Sequence, residues 1–348
     1  MFKITALYSC TLIAILFFNN NIIAQNRLST PLEILTYMKS SALEYKVEQL
    51  RGKLENPLLI VLPNDGYVEE KDGKEYSFSY KDKRTSEAQK YVNQAQALLA
   101  TEKTAGKKAR KLLEKALAID TSDAQLYALI GESFFDEKDY KKSEKFLRQA
   151  IHLNPVDYRA HWLLGEIFLQ ENQNDSALHY IRLAHLRNRN MPRLTLRMKE
   201  VSELCGKPFN TNWVFQPLYK NYKEGDSTII IAADGIWLTY AMYHAVWKYE
   251  PGYLHIKSNQ QVSDYLYHQE MEAMMGTYLT YSNLQDADKT PYPSLKAFEI
   301  ALDHDLLEAY IFYEILLVER PTLAHYLTEE FTEYLFEYME KVRGLQYH

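Results

Sequence analysis

The sequence predicts a mainly α-helical protein, built as a helix-turn-helix solenoid with a small N-terminal β element and a C-terminal aromatic-rich helical domain. Three observations predict this fold class. Apolar residues repeat every thirty-four positions between about Tyr91 and Arg189, an Asp72-Gly73 pair marks a tight turn, and Gly235 to Glu250 is apolar nearly all round a helix. The predicted segments are a signal peptide at 1–24, an N-terminal helix plus β-hairpin at 25–88, helical repeats with a capping helix at 89–206, and a mainly helical domain at 207–348.

Composition and the first residues indicate a folded, exported protein. Hydrophobic residues make up 47% and charged residues 25% of the 348 positions, as in ordinary globular proteins. Lys3 precedes an apolar run from Ile4 to Phe18, and small Ala24 follows a polar stretch, which is the order of a Sec-type signal peptide. We expect cleavage after Ala24 and a periplasmic or secreted protein, which contacts a membrane only if this peptide stays uncleaved as an anchor. Cleavage would leave Cys205 as the one cysteine, so the core rather than a disulfide must stabilise the fold.

Two elements are predicted before the repeats. A hydroxyl side chain at position 29 or 30, followed by Pro31, starts a helix whose apolar stripe continues until about Gly52. Residues 67–80 flank the Asp72-Gly73 pair and predict a β-hairpin, because Asp and Gly tolerate the positive φ of a tight turn. The alternative for this second stretch is a polar loop.

The repeat is visible at positions that keep one residue type through successive units. Gly131 is matched by Gly165 and Phe134 by Phe168, with small residues at 109, 143 and 177 and large apolar ones at 113, 147 and 181. Small residues allow two helices to cross closely, and the large ones fill the space between stacked units. The clearest unit runs from Ala124 to Pro155. This pattern resembles the tetratricopeptide repeat (TPR), of the exported type found in Gram-negative bacteria.

The end of the solenoid and the segment beyond it are predicted from helical spacing. Leu194, Met198, Val201 and Leu204 form one face of a helix that covers the third repeat, because a solenoid needs a cap. Beyond it, 207–348 contains 10 Lys and Arg against 20 Asp and Glu, a net charge of −10. Its first predicted elements are a strand at Thr228 to Ile231 that pairs with the earlier hairpin, and a core helix from Gly235 stopped by Pro251-Gly252. A helix capped by Ser258 follows. Two more helices are predicted, from Ser294 to about Glu319 with a break near Asp303 to Asp305, and from Thr322 to Arg343.

The resemblance implies where a partner would bind. In TPR proteins a ligand usually lies in the concave face, which is lined by the first helix of each repeat. The matching positions are mixed aromatic and acidic: Tyr91, Gln94, Glu102, Gln125, Glu132, Phe135, Asp136, Arg159, Trp162, Glu166 and Gln170. A carboxylate clamp of the TPR type needs several Lys, Asn and Arg side chains, and here only Arg159 is available. Trp162 and Phe135 would anchor a partner, unless the C-terminal domain of the same chain covers them.

The favoured function is a non-enzymatic exported scaffold that binds a protein or peptide of the cell envelope. The sequence lacks the H-E-x-x-H, G-x-S-x-G and Gly-rich phosphate-binding motifs. His304 with Glu308, and His268 with Glu270 and Glu272, have spacings that are common on solvated helices, so we expect neither a metal nor a cofactor. No basic stripe is present, which argues against nucleic acid.

An alternative function comes from the aromatic C-terminal domain, which could bind a small molecule or a glycan by stacking. The rings concerned are Trp237, Tyr240, Tyr243, Trp247, Tyr249 and Tyr253. The same residues would otherwise pack the core of the domain. Exposed rings beside a cleft would favour ligand binding, whereas buried rings would favour the core.

Overall fold

The structure is a computed structural model that describes residues 28–50, 61–62, 66–71, 74–79, 83–101, 105–259, 265–284 and 291–345. Over these residues the chain is mainly helical, with a three-stranded sheet and a separate hairpin, which confirms the predicted fold class. The signal peptide, its cleavage site after Ala24, and Glu102 lie outside the described residues. No helix in the described ranges is both long enough and apolar enough to span a bilayer.

The N-terminal segment begins with helix α1 (Pro31–Ser40) and continues into strand β1 (Glu44–Gln49). Thr30 caps α1: its Oγ1 accepts a hydrogen bond from the Glu33 amide, and the Glu33 carboxylate accepts one from the Thr30 amide. The predicted continuation of this helix to Gly52 is wrong. Residues 44–49 are extended because they pair in parallel with residues 228–233, far along the chain, and local spacing does not reveal that pairing.

Strands β2 (Gly66–Lys71) and β3 (Lys74–Ser79) form the predicted hairpin around positions 72 and 73. They pair antiparallel, with Tyr67 opposite Phe78, and constitute a two-stranded sheet of their own. The predicted pairing of this hairpin with Thr228 to Ile231 is therefore wrong.

Consecutive helices then pair into the repeats. The helices are α2 (Ser86–Thr101), α3 (Gly106–Ile119), α4 (Ala124–Asp136), α5 (Tyr140–Leu153), α6 (Tyr158–Gln170) and α7 (Asn174–Arg187), followed by α8 (Pro192–Leu204). Aspartates at 123, 139 and 157 cap α4, α5 and α6, since each carboxylate accepts a hydrogen bond from an amide of the first helical turn. The turns between helices are thus fixed by the sequence itself.

The two helices of a repeat approach closely at a glycine. A Cβ at Gly131 would lie 2.9 Å from the Leu147 side chain, and one at Gly165 would lie 2.8 Å from Ile181. Real Cβ atoms do not approach other carbons this closely, so only glycine allows the observed crossing. Ser143 adds a hydrogen bond of 2.7 Å to the Gly131 carbonyl.

Helix α8 packs against the third repeat, as predicted for a cap. Leu194 is fully buried in a cluster with Tyr158 and Ala184, against which Trp162 and Met191 also pack. The other end of the array has its own core, in which residues of α2, α3 and α4 meet: Ala88, Val92, Ala95, Ala109, Leu113, Ala116, Leu126, Ile130 and Phe134. The apolar positions predicted from the repeat pattern are therefore buried. Of the predicted capping face, Leu194, Met198 and Val201 are buried, whereas Leu204 is 63% exposed and does not cover the third repeat.

Contacts group the chain into two compact units that do not follow consecutive segments. One unit, here called the repeat unit, contains the described residues of 59–211 and 317–346, and the other, the mixed unit, contains those of 1–58 and 212–316. The predicted segment 207–348 is thus divided between them. The C-terminal part of the repeat unit comprises α14 (Leu317–Glu319), a 3-10 turn (Pro321–Tyr326) and α15 (Glu329–Lys341).

The mixed unit combines a small sheet with buried helices. Its later elements are β4 (Tyr219–Glu224), β5 (Thr228–Ala233), α9 (Trp237–Tyr249), α10 (Pro251–Asn259), α11 (Tyr265–Ser282), α12 (Pro293–Asp303), α13 (Leu307–Tyr310) and a π-helical turn (Ile311–Leu316). The sheet order is β1-β5-β4, with β5 parallel to β1 and antiparallel to β4. The central strand β5 is the apolar one, because it is the strand with neighbours on both sides.

The helix predicted from Gly235 and stopped by Pro251 is confirmed as α9, because it ends at Tyr249 and Glu250 has an extended backbone. Pro251 then begins α10, a position that Pro tolerates because the first helical amide has no intrahelical partner. The predicted helix start at Ser258 is wrong, because Ser258 lies within α10. The predicted break near Asp303 to Asp305 is confirmed, since α12 ends at Asp303 and Asp305 has a φ of 58°.

Candidate functional site

The predicted binding face contains a row of ion pairs between successive first helices of the repeats. In the first pair, Arg159 at the start of α6 donates to both carboxylate oxygens of Glu132 on α4. The two side chains are 28% and 29% exposed. The pair is therefore partly screened by water and remains accessible from outside.

The second pair repeats the first one unit later. Glu166 lies one thirty-four-residue step after Glu132 and accepts two hydrogen bonds from Arg197 on α8, at 2.7 Å from Nε and 2.6 Å from Nη2. This parallel arrangement is the strong, bidentate form of an arginine–carboxylate contact. The hydrogen bond with Glu166 raises the pKa of the Arg197 guanidinium further above its ordinary value.

Trp162 is part of the same arrangement. Its indole Nε1 donates to Glu166 Oε1 at 2.9 Å, and the ring is half-buried against the cluster around Leu194. The indole orientation is therefore fixed by a polar contact at one end and by packing on the other. We use the name concave strip for the residues Glu132, Asp136, Arg159, Trp162, Glu166 and Arg197.

Asp136 adds a carboxylate one helical turn after Glu132. Burial raises the pKa of Asp136, the neighbouring Glu132 charge raises it further, and Arg159 acts in the opposite direction. Arg159 bonds to Glu132 and not to Asp136. The concave strip thus has three carboxylates and two guanidinium groups.

Arg197 was not among the residues predicted for this face. Its helix α8 was identified only as a cap, because the repeat pattern ends before it. The structure shows that α8 also supplies the arginine which pairs with the preceding carboxylate, as a further first helix would. The sequence signal that could have indicated Arg197 is the recurrence of Glu at 132 and 166, because a second carboxylate at the equivalent position can pair with a second arginine.

A polar contact of a different kind lies at the N-terminal end of the array. Arg84 donates to Asp123 at 2.5 Å and to Gln125 at 2.6 Å, and the Arg84 and Asp123 side chains are both buried. Gln125, one of the predicted partner-binding residues, is therefore engaged within the repeat unit. Arg84 was also not predicted for the site.

The other predicted residues have varied surroundings. Tyr91 is half-buried against the first core cluster, with the Lys115 ammonium 5.6 Å from its ring centroid. Phe135 is half-buried beside the Tyr140 ring, at 5.6 Å between centroids. Gln94 and Gln170 are exposed. Tyr91 therefore contributes to packing, whereas the two glutamine side chains are open to solvent.

The aromatic residues of the alternative hypothesis are buried. Trp237, Tyr240, Tyr243, Trp247 and Tyr253 are each less than 5% exposed, and Tyr249 is half-buried. Several polar tips are also used inside the mixed unit: the Tyr253 hydroxyl and the Trp247 indole both donate to Glu272, at 2.8 and 2.9 Å. These rings pack the core of the unit and do not form an exposed stacking surface.

His244 of α9 is also held by polar groups of the mixed unit. His244 Nδ1 lies 3.2 Å from the Tyr219 hydroxyl and 2.8 Å from Gln269 Nε2, while Nε2 lies 3.3 Å from Glu270 Oε1. Both ring nitrogens are thus close to polar groups of the same unit. Within the described ranges, no group of three or more His, Cys, Asp or Glu side chains is placed to hold a metal ion.

Similarity to known proteins is consistent with this geometry. A family model described as tetratricopeptide repeat matches residues 124–157, the central helix pair α4 and α5. No curated protein matches the chain in sequence. Residues 124–157 are thus similar to a tetratricopeptide repeat, and the same thirty-four-residue spacing continues in the helix pairs on either side of them.

The solved structures to which the chain is similar have low sequence identity to it. The first TPR of Spaghetti (RPAP3), bound to the HSP90 peptide SRMEEVD, is 15% identical, covers 34% of this chain and 94% of its own, and has a TM-score of 0.32. The pilF protein of Pseudomonas aeruginosa is 13% identical, covers 73% of this chain and 99% of its own, and has a TM-score of 0.31. The P58(IPK) TPR domain is 16% identical, with coverage of 74% and 64% and a TM-score of 0.30.

Proposed function

We propose that this protein is a non-enzymatic scaffold that holds a protein or peptide partner on the concave strip of its repeats. The observation that carries the proposal is the row of partly exposed side chains on the first helices of successive repeats. These are the positions at which TPR proteins bind their ligands. The strip combines hydrogen-bonding groups with one large aromatic ring, which is the composition of a recognition surface.

Trp162 is the expected anchor of the partner. Its indole is held by Glu166 at 2.9 Å, so the ring is already oriented before a partner arrives. A pre-oriented ring loses little conformational freedom on binding, and such residues dominate the energetics of many interfaces. Phe135 is the second expected anchor, because it is likewise half-buried and lies on the last turn of α4.

We further propose that the partner belongs to the cell envelope. This part of the proposal rests on the first twenty-four residues, whose basic, apolar and small-residue order is that of a secretory signal. A fractionation of cells that produce the chain with a C-terminal tag tests it directly. Recovery of a shortened chain in the periplasmic or secreted fraction supports export, whereas a full-length chain in the cytoplasmic fraction contradicts it.

Co-purification from an envelope extract tests the scaffold function. We expect specific proteins to be retained by the wild-type chain and lost with the Trp162→Ala, Phe135→Ala double variant. Leu153→Ala is a suitable control, because Leu153 is 37% exposed at the end of a second helix, α5, and its truncation removes apolar surface outside the strip. Equal retention by all three chains, or no retained protein with the wild type, would count against the proposal.

A further inference from the structure

We propose that the occupant of the concave strip is a peptide segment that places a Lys or Arg side chain next to an apolar one. This inference deepens the proposed function and depends on it. An acidic ligand is not expected. Arg159, the one arginine among the predicted residues that could form a carboxylate clamp, is already paired with Glu132.

The charges of the strip favour a cationic partner. Arg159 and Arg197 are each engaged by a carboxylate, at Glu132 and Glu166. Asp136 is then the carboxylate in excess, and Glu200, which also pairs with Arg197, extends the same sign along α8. An anionic ligand would have to displace a carboxylate from a bidentate arginine, whereas a cation adds to the existing pairs without breaking one.

Asp136 and Glu132 form the most negative point of the strip. They are four residues apart on α4, so their side chains lie on the same side of the helix. Two like charges on the same side of one helix repel each other, and the pKa of Asp136 is raised by burial and further by the Glu132 charge. An ammonium or guanidinium group between them would relieve this repulsion, and that gain is available only to a cation.

Trp162 accounts for the apolar neighbour in the proposed ligand. The half-buried indole lies on α6, beside Arg159 and one helical turn before Glu166. A side chain of the ligand next to its cation would reach this ring, either as an apolar contact or as a cation over the indole face. The acidic groups of the strip thus account for the Lys or Arg of the ligand, and its aromatic ring accounts for the apolar neighbour.

Peptide binding to the full chain tests the proposal. The probes are three fluorescein-labelled peptides of about nine residues with the same Leu and Gly content, which carry several Arg, several Gln or several Glu side chains. We expect the Arg peptide to bind about tenfold more tightly than the Gln peptide at low salt, and this advantage to shrink as NaCl is added. The Glu peptide should bind most weakly.

Variants assign any binding to the strip. Asp136→Asn removes the excess charge and should weaken binding of the Arg peptide about threefold or more, and Trp162→Ala should weaken binding of the Arg and Gln peptides. Glu333→Gln is the matched control, since Glu333 is an exposed carboxylate on α15 and its loss changes the net charge equally. A Glu peptide that binds as well as the Arg peptide, or an Asp136→Asn chain no weaker than the control, would overturn the inference. Retention of envelope proteins through Trp162 would then leave the scaffold function intact.

Discussion

Arg182, in the middle of α7, donates a hydrogen bond of 2.6 Å to Glu340, close to the end of the chain. The guanidinium also lies 5.4 Å from the centroid of the Phe336 ring, and Lys207 approaches the same Glu340 carboxylate at 3.0 Å. These contacts place the last helix of the chain against the last repeat. The repeat unit is therefore completed by a segment that follows α8 by more than a hundred residues in the chain.

Truncation of Phe336 should destabilise the repeat unit. The ring is 5% exposed and contacts His179 and Arg182. Phe336→Ala would therefore leave a cavity and remove the ring that packs against the Arg182 guanidinium. We expect a loss of about 3 kcal/mol in the free energy of unfolding, as for other large-to-small changes in a core. Urea denaturation followed by circular dichroism measures it. Phe331→Ala, at a half-buried position of the same helix, should cost less, and equal losses would show that the contacts of Phe336 with α7 add little to stability.

A methyl group at Gly165 should also be costly. It would lie 2.8 Å from the Ile181 side chain at the crossing of α6 and α7, and the helices would have to move apart. We expect Gly165→Ala to destabilise the repeat unit by about 1–3 kcal/mol. The control is Gly106→Ala, because a Cβ there meets no atom within 4 Å and alanine restricts the unfolded chain. A Gly165→Ala chain that melts at or above the temperature of the Gly106→Ala chain would contradict the close crossing.

Ion pairs of the concave strip should contribute little to stability. Glu166 and Arg197 are 18% and 28% exposed, so water competes with their mutual attraction. A double-mutant cycle with Glu166→Gln and Arg197→Gln should give a coupling free energy of about 1 kcal/mol or less. A coupling of several kcal/mol would mean that the pair is a structural element of the array rather than a surface available to a partner.

Loss of the Lys257 charge should destabilise the mixed unit. Lys257 and Glu272 form an ion pair with both side chains almost fully buried, and Glu272 also accepts hydrogen bonds from Ser29, Trp247 and Tyr253. Lys257→Met would leave a buried carboxylate without its cation, at a cost of about 3–5 kcal/mol. The control Lys248→Met changes an exposed lysine of α9 and should be nearly neutral. Thermal melting of the two variants distinguishes these outcomes.

The repeat unit should lose stability in mild acid because of His161. Burial lowers the pKa of His161 to about 4, and its Nε2 lies 2.9 Å from the Pro155 carbonyl. A histidine with a lowered pKa in the folded state binds its proton more readily when unfolded, so its contribution is fully present above about pH 6.5 and is lost as the pH falls towards 4. We expect His161→Gln to show a smaller decrease in its urea midpoint between these values than the wild type. His152→Gln, at an exposed position, is the control and should keep the pH dependence of the wild type. A His161→Gln chain whose urea midpoint falls as steeply with pH as that of the wild type would refute the prediction.

Much of the repeat unit could be predicted from the sequence because its contacts are local. Small residues at 131, 143 and 165, the capping aspartates and the large residues at 147 and 181 all act between helices that follow one another in the chain. The same spacing located Glu132 and Glu166 on one face. The hairpin at 72 and 73 was predictable for the same reason, since its turn and both strands are contiguous.

The tertiary structure decided everything that depends on distant pairing. Residues 44–49 continue a helical pattern of apolar positions, yet they form a strand, because β5 offers a ladder of backbone hydrogen bonds that no nearby segment provides. Arg197 joins the concave strip because α8 packs on α7, and α15 joins the repeats through contacts that include those of Glu340 with Arg182 and Lys207. Local periodicity determines which face of a helix is apolar, whereas the choice of partner for that face depends on burial and charge summed over the folded chain.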